Sequence, residues 1–330
     1  MNYLDSASVD VTYQCNLRCR HCFDFGGECK RQEMDDREVL NVFYQLARAN
    51  LSSICICGGE PLLRLGLVNK AISLIKKNDK STLVSMVSNG LLWTERIAAE
   101  LKESGLDLIQ FSLDGITNES YDYIRMSHGQ LPQVIKAIRI AIDNDIKVAI
   151  ASLPHSRNIE EYPKIIDFCE SLGISNFRAQ PLMPLGRGER NYNELCLTPE
   201  QNDALAKYMS SRNVTSPMQI TWGDPVDHLF MYQETGRIPQ VCINAFGEIS
   251  VSPYLPITIW NLRKRPLQEY IDLEIDTYAL QHPVVLNRLQ SISGLSDFTS
   301  NAEGFPILFL ESSLDISEEL REVARERKTR

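Results

Sequence analysis

The sequence has no uninterrupted apolar run approaching eighteen residues, so it offers no membrane-spanning helix. Met1 to Ser8 lack the basic and apolar stretches of a secretory signal, which makes a cytoplasmic, reducing compartment the expectation. Positive charge is in deficit: 34 Lys and Arg face 43 Asp and Glu, a formal net charge of −9. That balance argues against broad binding to nucleic acid or to an anionic membrane surface. No internal repeat beyond β/α units and no low-complexity segment is visible. At 43% hydrophobic and 23% charged, the 330 residues show ordinary globular usage, which excludes disorder as the general state. Cysteine breaks this restraint. There are nine, an odd count that fits a full disulfide framework poorly. In a reducing compartment, clustered cysteines bind metal or do chemistry more often than they pair.

The first 180 residues alternate between two patterns. β-branched runs at Val9–Tyr13, Ser53–Cys57, Thr82–Val87, Leu108–Leu113, Lys147–Ser152 and Asn176–Gln180 predict strands, near-continuously apolar. Helical spacing fills Asp35–Ala49, Leu63–Lys76, Thr94–Ser104, Leu131–Asn144 and Ile159–Leu172. Gly105 and Gly173 follow helix ends. Six β/α units in series predict an α/β fold, a partial (β/α)6 TIM-like barrel. Residues 1–190 would form this core, and 191–330 a smaller α+β extension. Pro181–Arg190 reads as a loop, and Thr198–Ser211 as a helix with Pro199 in its first turn. Residues 214–310 mix short strands, turns and helices, with a hairpin turn at Phe246-Gly247-Glu248. Ser313–Arg327 predicts a charged terminal helix.

Cys15-Asn-Leu-Arg-Cys19-Arg-His-Cys22 follows the first predicted strand directly. Three thiolates on one tight loop can hold three corners of a cubane [4Fe–4S] cluster and leave the fourth iron open. Two other readings of these residues stay open here. A zinc site could use them with His21, although four ligands within eight residues make poor tetrahedral geometry. A Cys19-x-x-Cys22 redox pair would leave Cys15 unexplained.

The triplet, its place after the first strand, and Phe23 behind the last cysteine resemble the radical S-adenosylmethionine (radical SAM) superfamily. Further segments in the same order support the resemblance. Gly58-Gly59-Glu60-Pro61 is similar to the motif that receives the SAM amino group, with glycines allowing close backbone approach. Ser88-Asn89-Gly90 resembles the turn beside SAM, and Ser112 and Asp114 the polar pair on the ribose side, with Arg125 following. Ser152 and Asn158 stand where the family carries a polar residue and an Asn. Leu185, within Pro184-Leu-Gly-Arg-Gly188, resembles the apolar turn near adenine. All lie at carboxyl ends of predicted strands, where parallel barrels place their sites.

Cys242 to Tyr254, followed by Trp260-Asn-Leu-Arg, resembles the SPASM and twitch extensions of this superfamily. Their hairpin usually ends in Pro-Cys, with further cysteines holding auxiliary clusters. Here Tyr254 takes that position and no cysteine follows Cys242. The resemblance therefore implies an enzyme with one [4Fe–4S] cluster and S-adenosyl-L-methionine. It would cleave SAM to a 5′-deoxyadenosyl radical that abstracts hydrogen from a substrate. The expected substrate is a ribosomally made peptide, with a small metabolite (sugar, nucleoside or tetrapyrrole) as the alternative. A non-catalytic iron–sulfur or zinc scaffold is the alternative of another class. A flavodoxin- or ferredoxin-type donor is the implied partner. With no peptide-recognition domain ahead of the first strand, a separate leader-peptide-binding protein is a further expectation. Cys57, beside the glycine pair, and Tyr254 are candidate hydrogen donors. Trp222, Asp224 and His228 are candidate substrate contacts, set against a plain Asp-Pro turn feeding a helix.

Overall fold

The structure is a computed structural model that describes residues 4–298 and 313–328. Seven parallel strands lie side by side in chain order. They are β1 (Ser6–Asp10), β2 (Ser53–Cys57), β3 (Leu83–Ser88), β4 (Leu108–Ser112), β5 (Lys147–Ser152), β6 (Asn176–Ala179) and β7 (Gln219–Trp222). Helices connect them: α1 (Asp36–Ala47), α2 (Leu65–Asn78), α3 (Glu95–Ser104), α4 (Asn118–Arg125), α5 (Leu131–Asp143), α6 (Tyr162–Ser171), α7 (Gly186–Arg190), α8 (Tyr192–Leu195) and α9 (Pro199–Thr215). This is the expected partial barrel, with a seventh strand beyond the six read from the sequence.

The extension continues the same sheet. After α10 (Asp227–Thr235), β8 (Gln240–Ile243) pairs in parallel with the free edge of β1. The antiparallel hairpin of β9 (Glu248–Ser252) and β10 (Leu255–Asn261) follows, and β11 (Leu314–Asp315) pairs with β10. Its turn at Asn244–Gly247 sits between β8 and β9, as the Phe246-Gly247 signal predicts. Helices α11 (Leu267–Asp272), α12 (Ile275–Gln281), α13 (Pro283–Gln290) and α14 (Ser317–Lys328) complete the described chain. Of the mixed region 214–310, residues 299–310 lie outside the described residues. Among the described residues no helix is long and apolar enough to cross a membrane.

Three local readings need correction. The first strand is Ser6–Asp10, not Val9–Tyr13. The small residues Ser6 and Ser8 hide its start, while Val11 to Tyr13 run on beside β2 as the approach to the cysteine loop. Residues 186–190 of the expected loop form a helical turn, because the Arg187 amide is drawn onto the Cys22 carbonyl at 2.8 Å. The strands are also two-faced rather than uniformly apolar. Val9, Ile54, Ile56, Val84, Met86, Ile109 and Phe111 are fully buried beneath the helices. Their alternates Ser8, Asp10, Cys55, Cys57, Ser85 and Gln110 are half-buried, on the concave face. A barrel interior with polar alternates holds cavities rather than a packed core.

Candidate functional site

The cysteine loop leaves β1 at the carboxyl end of the sheet and is stitched to it by backbone bonds. The Val11 amide donates to the Cys57 carbonyl at 3.0 Å, and Gly59 to Thr12 at 2.7 Å. Glu60 donates to Gln14 at 2.8 Å. This approach requires glycine: a Cβ on Gly58 would lie 2.3 Å from the Thr12 oxygen, and one on Gly59 2.3 Å from the Gln14 oxygen. Arg187 clamps the loop from the other side. Its guanidinium donates to the Cys19 carbonyl at 2.8 Å and to Glu28 at 2.5 Å, while its amide holds Cys22. Gly186, at φ +60°, lies against the Phe23 carbonyl where a Cβ would come within 2.3 Å. The Pro184–Gly188 turn thus braces the cysteine loop.

Each of the three thiols is free and faces an N–H donor. Leu17 donates to Cys15 Sγ at 3.4 Å, Gly26 to Cys22 Sγ at 3.3 Å, and Arg125 Nη1 to Cys19 Sγ at 3.8 Å. Burial raises all three thiols, Cys22 to about 11, so holding them as thiolates requires a compensating cation. Among the described residues no three His, Cys, Asp or Glu side chains converge as ligands of one ion. His21, the would-be zinc partner, has a buried Nδ1 without a hydrogen-bond partner.

Two cavities adjoin the loop. The first, of about 330 Å³, is lined by Ser8, Asp10, Asp24, Cys57, Cys242 and Ser250, among others. The second, of about 300 Å³, is lined by His21, Ser112, Asp114, Ser152, Arg178 and Met183, among others. Phe23, Val87, Gln110 and Tyr254 line both. The Phe23 and Tyr254 rings meet edge to face at 5.3 Å. Gln180 Nε2 donates to the Tyr254 hydroxyl at 3.4 Å, so the β9–β10 turn reaches across to the end of β6.

The sequence candidates fall into three groups. Ser112, Asp114, Ser152, Phe23, Cys57, Gly58 and Tyr254 line a cavity. Ser152 is 4% exposed and its hydroxyl has no partner, an open hydrogen-bonding position in the second cavity. Burial favours a neutral Asp114, but the Arg125 guanidinium at 2.5 Å outweighs it and holds the carboxyl below its usual range.

A second group braces loops. Glu60 is fully buried, and its carboxylate accepts from Ser88 Oγ and the Asn89 amide at 2.9 Å and from the Leu62 amide at 3.1 Å. It ties the ends of β2 and β3 together and caps the turn that Pro61 begins. Asn89 donates to Asn16 at 2.7 Å, beside Cys15. Asn158 is fully buried and donates to the Asp114 and Leu153 carbonyls at 2.8 Å.

The third group sits elsewhere. Leu185 precedes α7, and its neighbours Leu182 and Met183 line the second cavity instead. The Asp224 carboxylate accepts from the Val226 amide at 2.9 Å, the turn that feeds α10. His228 reaches Ser252 at 2.8 Å and packs 6.0 Å from Tyr254.

Sequence reasoning missed Asp10, Asp24, Gln110 and Arg178. Period-two alternation from Ser6 would have placed Asp10 on the concave face. Burial, reinforced by the Glu33 charge, pushes Asp10 up to about 7 despite a hydrogen bond from Tyr13.

The chain was compared with known proteins. Residues 9–169 match the family described as Radical SAM superfamily. A "Probable GTP 3′,8-cyclase" of Saccharolobus islandicus (strain Y.N.15.51 / Yellowstone #2) is 31% identical over 192 residues, 58% of this chain and 61% of the relative. "Sporulation killing factor maturation protein SkfB" of Bacillus subtilis (strain 168) is 28% identical over 199 residues, 59% of this chain and 47% of the relative. The matches thus span about half to three-fifths of these relatives. Among solved structures, Streptococcus suis SuiB bound to precursor peptide SuiA matches with TM-score 0.65 and 16% identity, covering 95% of this chain and 76% of that one. AnSMEcpe with bound AdoMet and Cp18Cys peptide matches with TM-score 0.66 and 17% identity, over 98% and 99%. At these identities the structural matches show the fold.

The Asp10 carboxyl yields a pH prediction. Its pKa is near 7 folded and near its ordinary 3.8 unfolded, so between these values the folded state binds more protons. This group therefore lowers folding stability as pH rises from about 4 to about 7, with no further change above. Asp10→Asn removes the component. Thermal midpoints across that range should show the variant gaining on wild type as pH rises; parallel profiles would refute the assignment.

Proposed function

Because residues 9–169 form a radical SAM superfamily domain, the architecture of SAM-dependent enzymes, we propose that this chain is a radical SAM enzyme acting on a peptide. The observation that carries the chemistry is the trio of loop thiols, each facing an N–H donor, on a loop whose His21 and Phe23 line the cavity that Ser112, Asp114 and Ser152 also line. Hydrogen bonds to sulfur and a nearby cation suit the anionic thiolates of an iron–sulfur cluster. A Cβ on Gly26 would stand 3.3 Å from Cys15 Cβ and 3.6 Å from Cys22 Sγ, so glycine there keeps the space beside these two cysteines open. Bound by Cys15, Cys19 and Cys22, a [4Fe–4S] cluster would supply the electron that splits SAM into methionine and a 5′-deoxyadenosyl radical.

The chain's own residues do the rest. Ser112 and the unpartnered Ser152 hydroxyl offer hydrogen bonds to the adenosyl part of SAM. Asp114, kept charged by Arg125, fixes the Leu153 amide at 2.7 Å and so the lip of that cavity. Gly58 and Gly59 give the SAM methionine end close access to backbone. Glu60 sets the spacing of the β2 and β3 ends rather than meeting SAM directly. Leu182 and Met183 provide the apolar wall for adenine, with Leu185 behind them. Phe23 and Tyr254 form the boundary across which the radical meets substrate in the first cavity.

A peptide fits that first cavity better than a nucleotide. Among the described residues no Lys or Arg lines it to hold a polyphosphate, and its wall carries Asp10 and Asp24 instead. The GTP cyclase named above favours a nucleotide by sequence, whereas the SuiB structure of like fold is bound to a precursor peptide. We assign residues 1–190 to SAM chemistry and 191–330, a SPASM-like extension, to the substrate side. Cys242, Ser250 and Tyr254 of the extension line the first cavity. A flavodoxin- or ferredoxin-type protein would supply the electron, and a separate protein the leader recognition. With Tyr254 in place of the hairpin's usual cysteine, a redox-neutral outcome such as epimerisation, rearrangement or decarboxylation is the reading we favour.

The test is anaerobic reconstitution with iron and sulfide, then SAM and a low-potential reductant. The full chain should release 5′-deoxyadenosine, and Cys15→Ala, Cys19→Ala and Cys22→Ala should each release none. Release undiminished by these changes, or none from wild type, would overturn the proposal. Ser152→Ala should weaken SAM binding by about fivefold in calorimetry, the loss of one hydrogen bond of about 1 kcal/mol. Unchanged affinity would remove Ser152 from the SAM site.

A further inference from the structure

Cys55 and Cys57 form a second thiol group, away from the cysteine loop. They alternate along β2 and face the concave side, with their sulfurs 3.3 Å apart. Cys57 lines the first cavity with Tyr254, Gln110 and Phe23. Cys55 lies one step deeper, between Ser8 of β1 and Ser85 of β3 in register. Two residues of strand rise about 6.6 Å. That lies at the upper end of the Cα separation a disulfide can bridge, so closing the pair draws residues 55 and 57 together by a local bend of β2, and the sulfurs already touch.

The two thiols are not equivalent. The hydrogen bond from Cys57, despite burial, holds Cys55 below its ordinary range, with help from the Ser85 hydroxyl. The same bond, together with burial, raises Cys57 well above it. Of the two, Cys57 is the thiol that lines the cavity, and Cys55 stands behind it with its sulfur in contact.

Resting on the radical reading above, we propose that Cys57 and Cys55 act together as a dithiol that quenches a carbon-centred radical in the first cavity and closes to a disulfide. The Cys57 S–H bond breaks homolytically, and its hydrogen atom forms a C–H bond on the radical. The resulting Cys57 thiyl bonds to Cys55 sulfur as Cys55 releases its proton to water. The surplus electron of that three-electron S–S bond passes to a one-electron acceptor of the iron–sulfur class. The dithiol loses two electrons in all: one leaves with the hydrogen atom and one goes to the acceptor. An external dithiol reductant restores the pair. The partner sulfur makes the quench one-way, because a lone thiyl would abstract hydrogen back. Cys57 is the catalytic residue; Cys55 acts through it.

The protein's own 5′-deoxyadenosyl radical serves as the probe, with no substrate added. The reconstituted full chain is given SAM and dithionite in D2O without added thiol, and the peptide 49–64 is then alkylated and weighed. Wild type should yield 5′-deoxyadenosine carrying one deuterium, and a peptide whose two cysteines resist alkylation until reduced. Cys57→Ser should lose both signals. Cys55→Ser should keep the deuterium and lose the internal disulfide. Cys196→Ser should match wild type, and circular dichroism checks that each variant folds. In metal-free protein, the thiol oxidant diamide should close the same bridge. Undeuterated 5′-deoxyadenosine from wild type, label that survives in Cys57→Ser, or failure of either bridge to form would overturn the dithiol while leaving the radical reading standing. Absence of any 5′-deoxyadenosine would overturn both.

Discussion

The mouth of the barrel depends on how closely two backbones lie together. The chain leaving β1 rests directly on the chain leaving β2, with amide bonds between Gly59 and Thr12 and between Glu60 and Gln14. No side chain fits between them, which is why two glycines stand there. The contact fixes where the cysteine loop begins, and Arg187 fixes where it ends. The loop is thus shaped by backbone hydrogen bonds from separate strands. Rigid elements supporting a short functional loop are a general way to hold ligands in place.

The second constraint is the polar concave face. A parallel sheet covered on both sides would pack apolar residues inward and outward alike. Here Ser8, Asp10, Cys57 and Gln110 replace the inner apolar layer, leaving two cavities that share one wall. Phe23 and Tyr254 stand where the two cavities meet. The extension adds β8 to the edge of β1 and supplies Cys242, Ser250 and Tyr254 to the first cavity, which the core strands alone do not enclose.

Much of this was legible in the sequence for a definite reason. The cysteines, the glycine pair, Ser88-Asn89-Gly90 and Ser112 with Asp114 are local signals at strand ends, and period-two runs place strand ends well. What was not legible depends on long-range register. Asp10 is raised by burial and by the Glu33 charge, and it lines a cavity that it shares with Cys242, Ile243 and Ser250, more than 230 residues away in sequence. Glu60 reads as a ligand for an ammonium, and only the folded chain shows its carboxylate also accepting from Ser88 and Asn89. Arg187 reads as part of a loop near adenine, and only the folded chain shows its side chain gripping Cys19 and Glu28. The start of the first strand was hidden because Ser6 and Ser8, half-buried on one face of β1, carry no β-branched signal.

The central claim is that Cys15, Cys19 and Cys22 hold one cluster with an open iron that meets SAM. Its most direct test is electron paramagnetic resonance of the reduced, reconstituted chain, read with its iron content. The account predicts about four irons per chain and a reduced-cluster signal that changes when SAM is added. One tightly held zinc without iron, or a cluster signal indifferent to SAM, would contradict it.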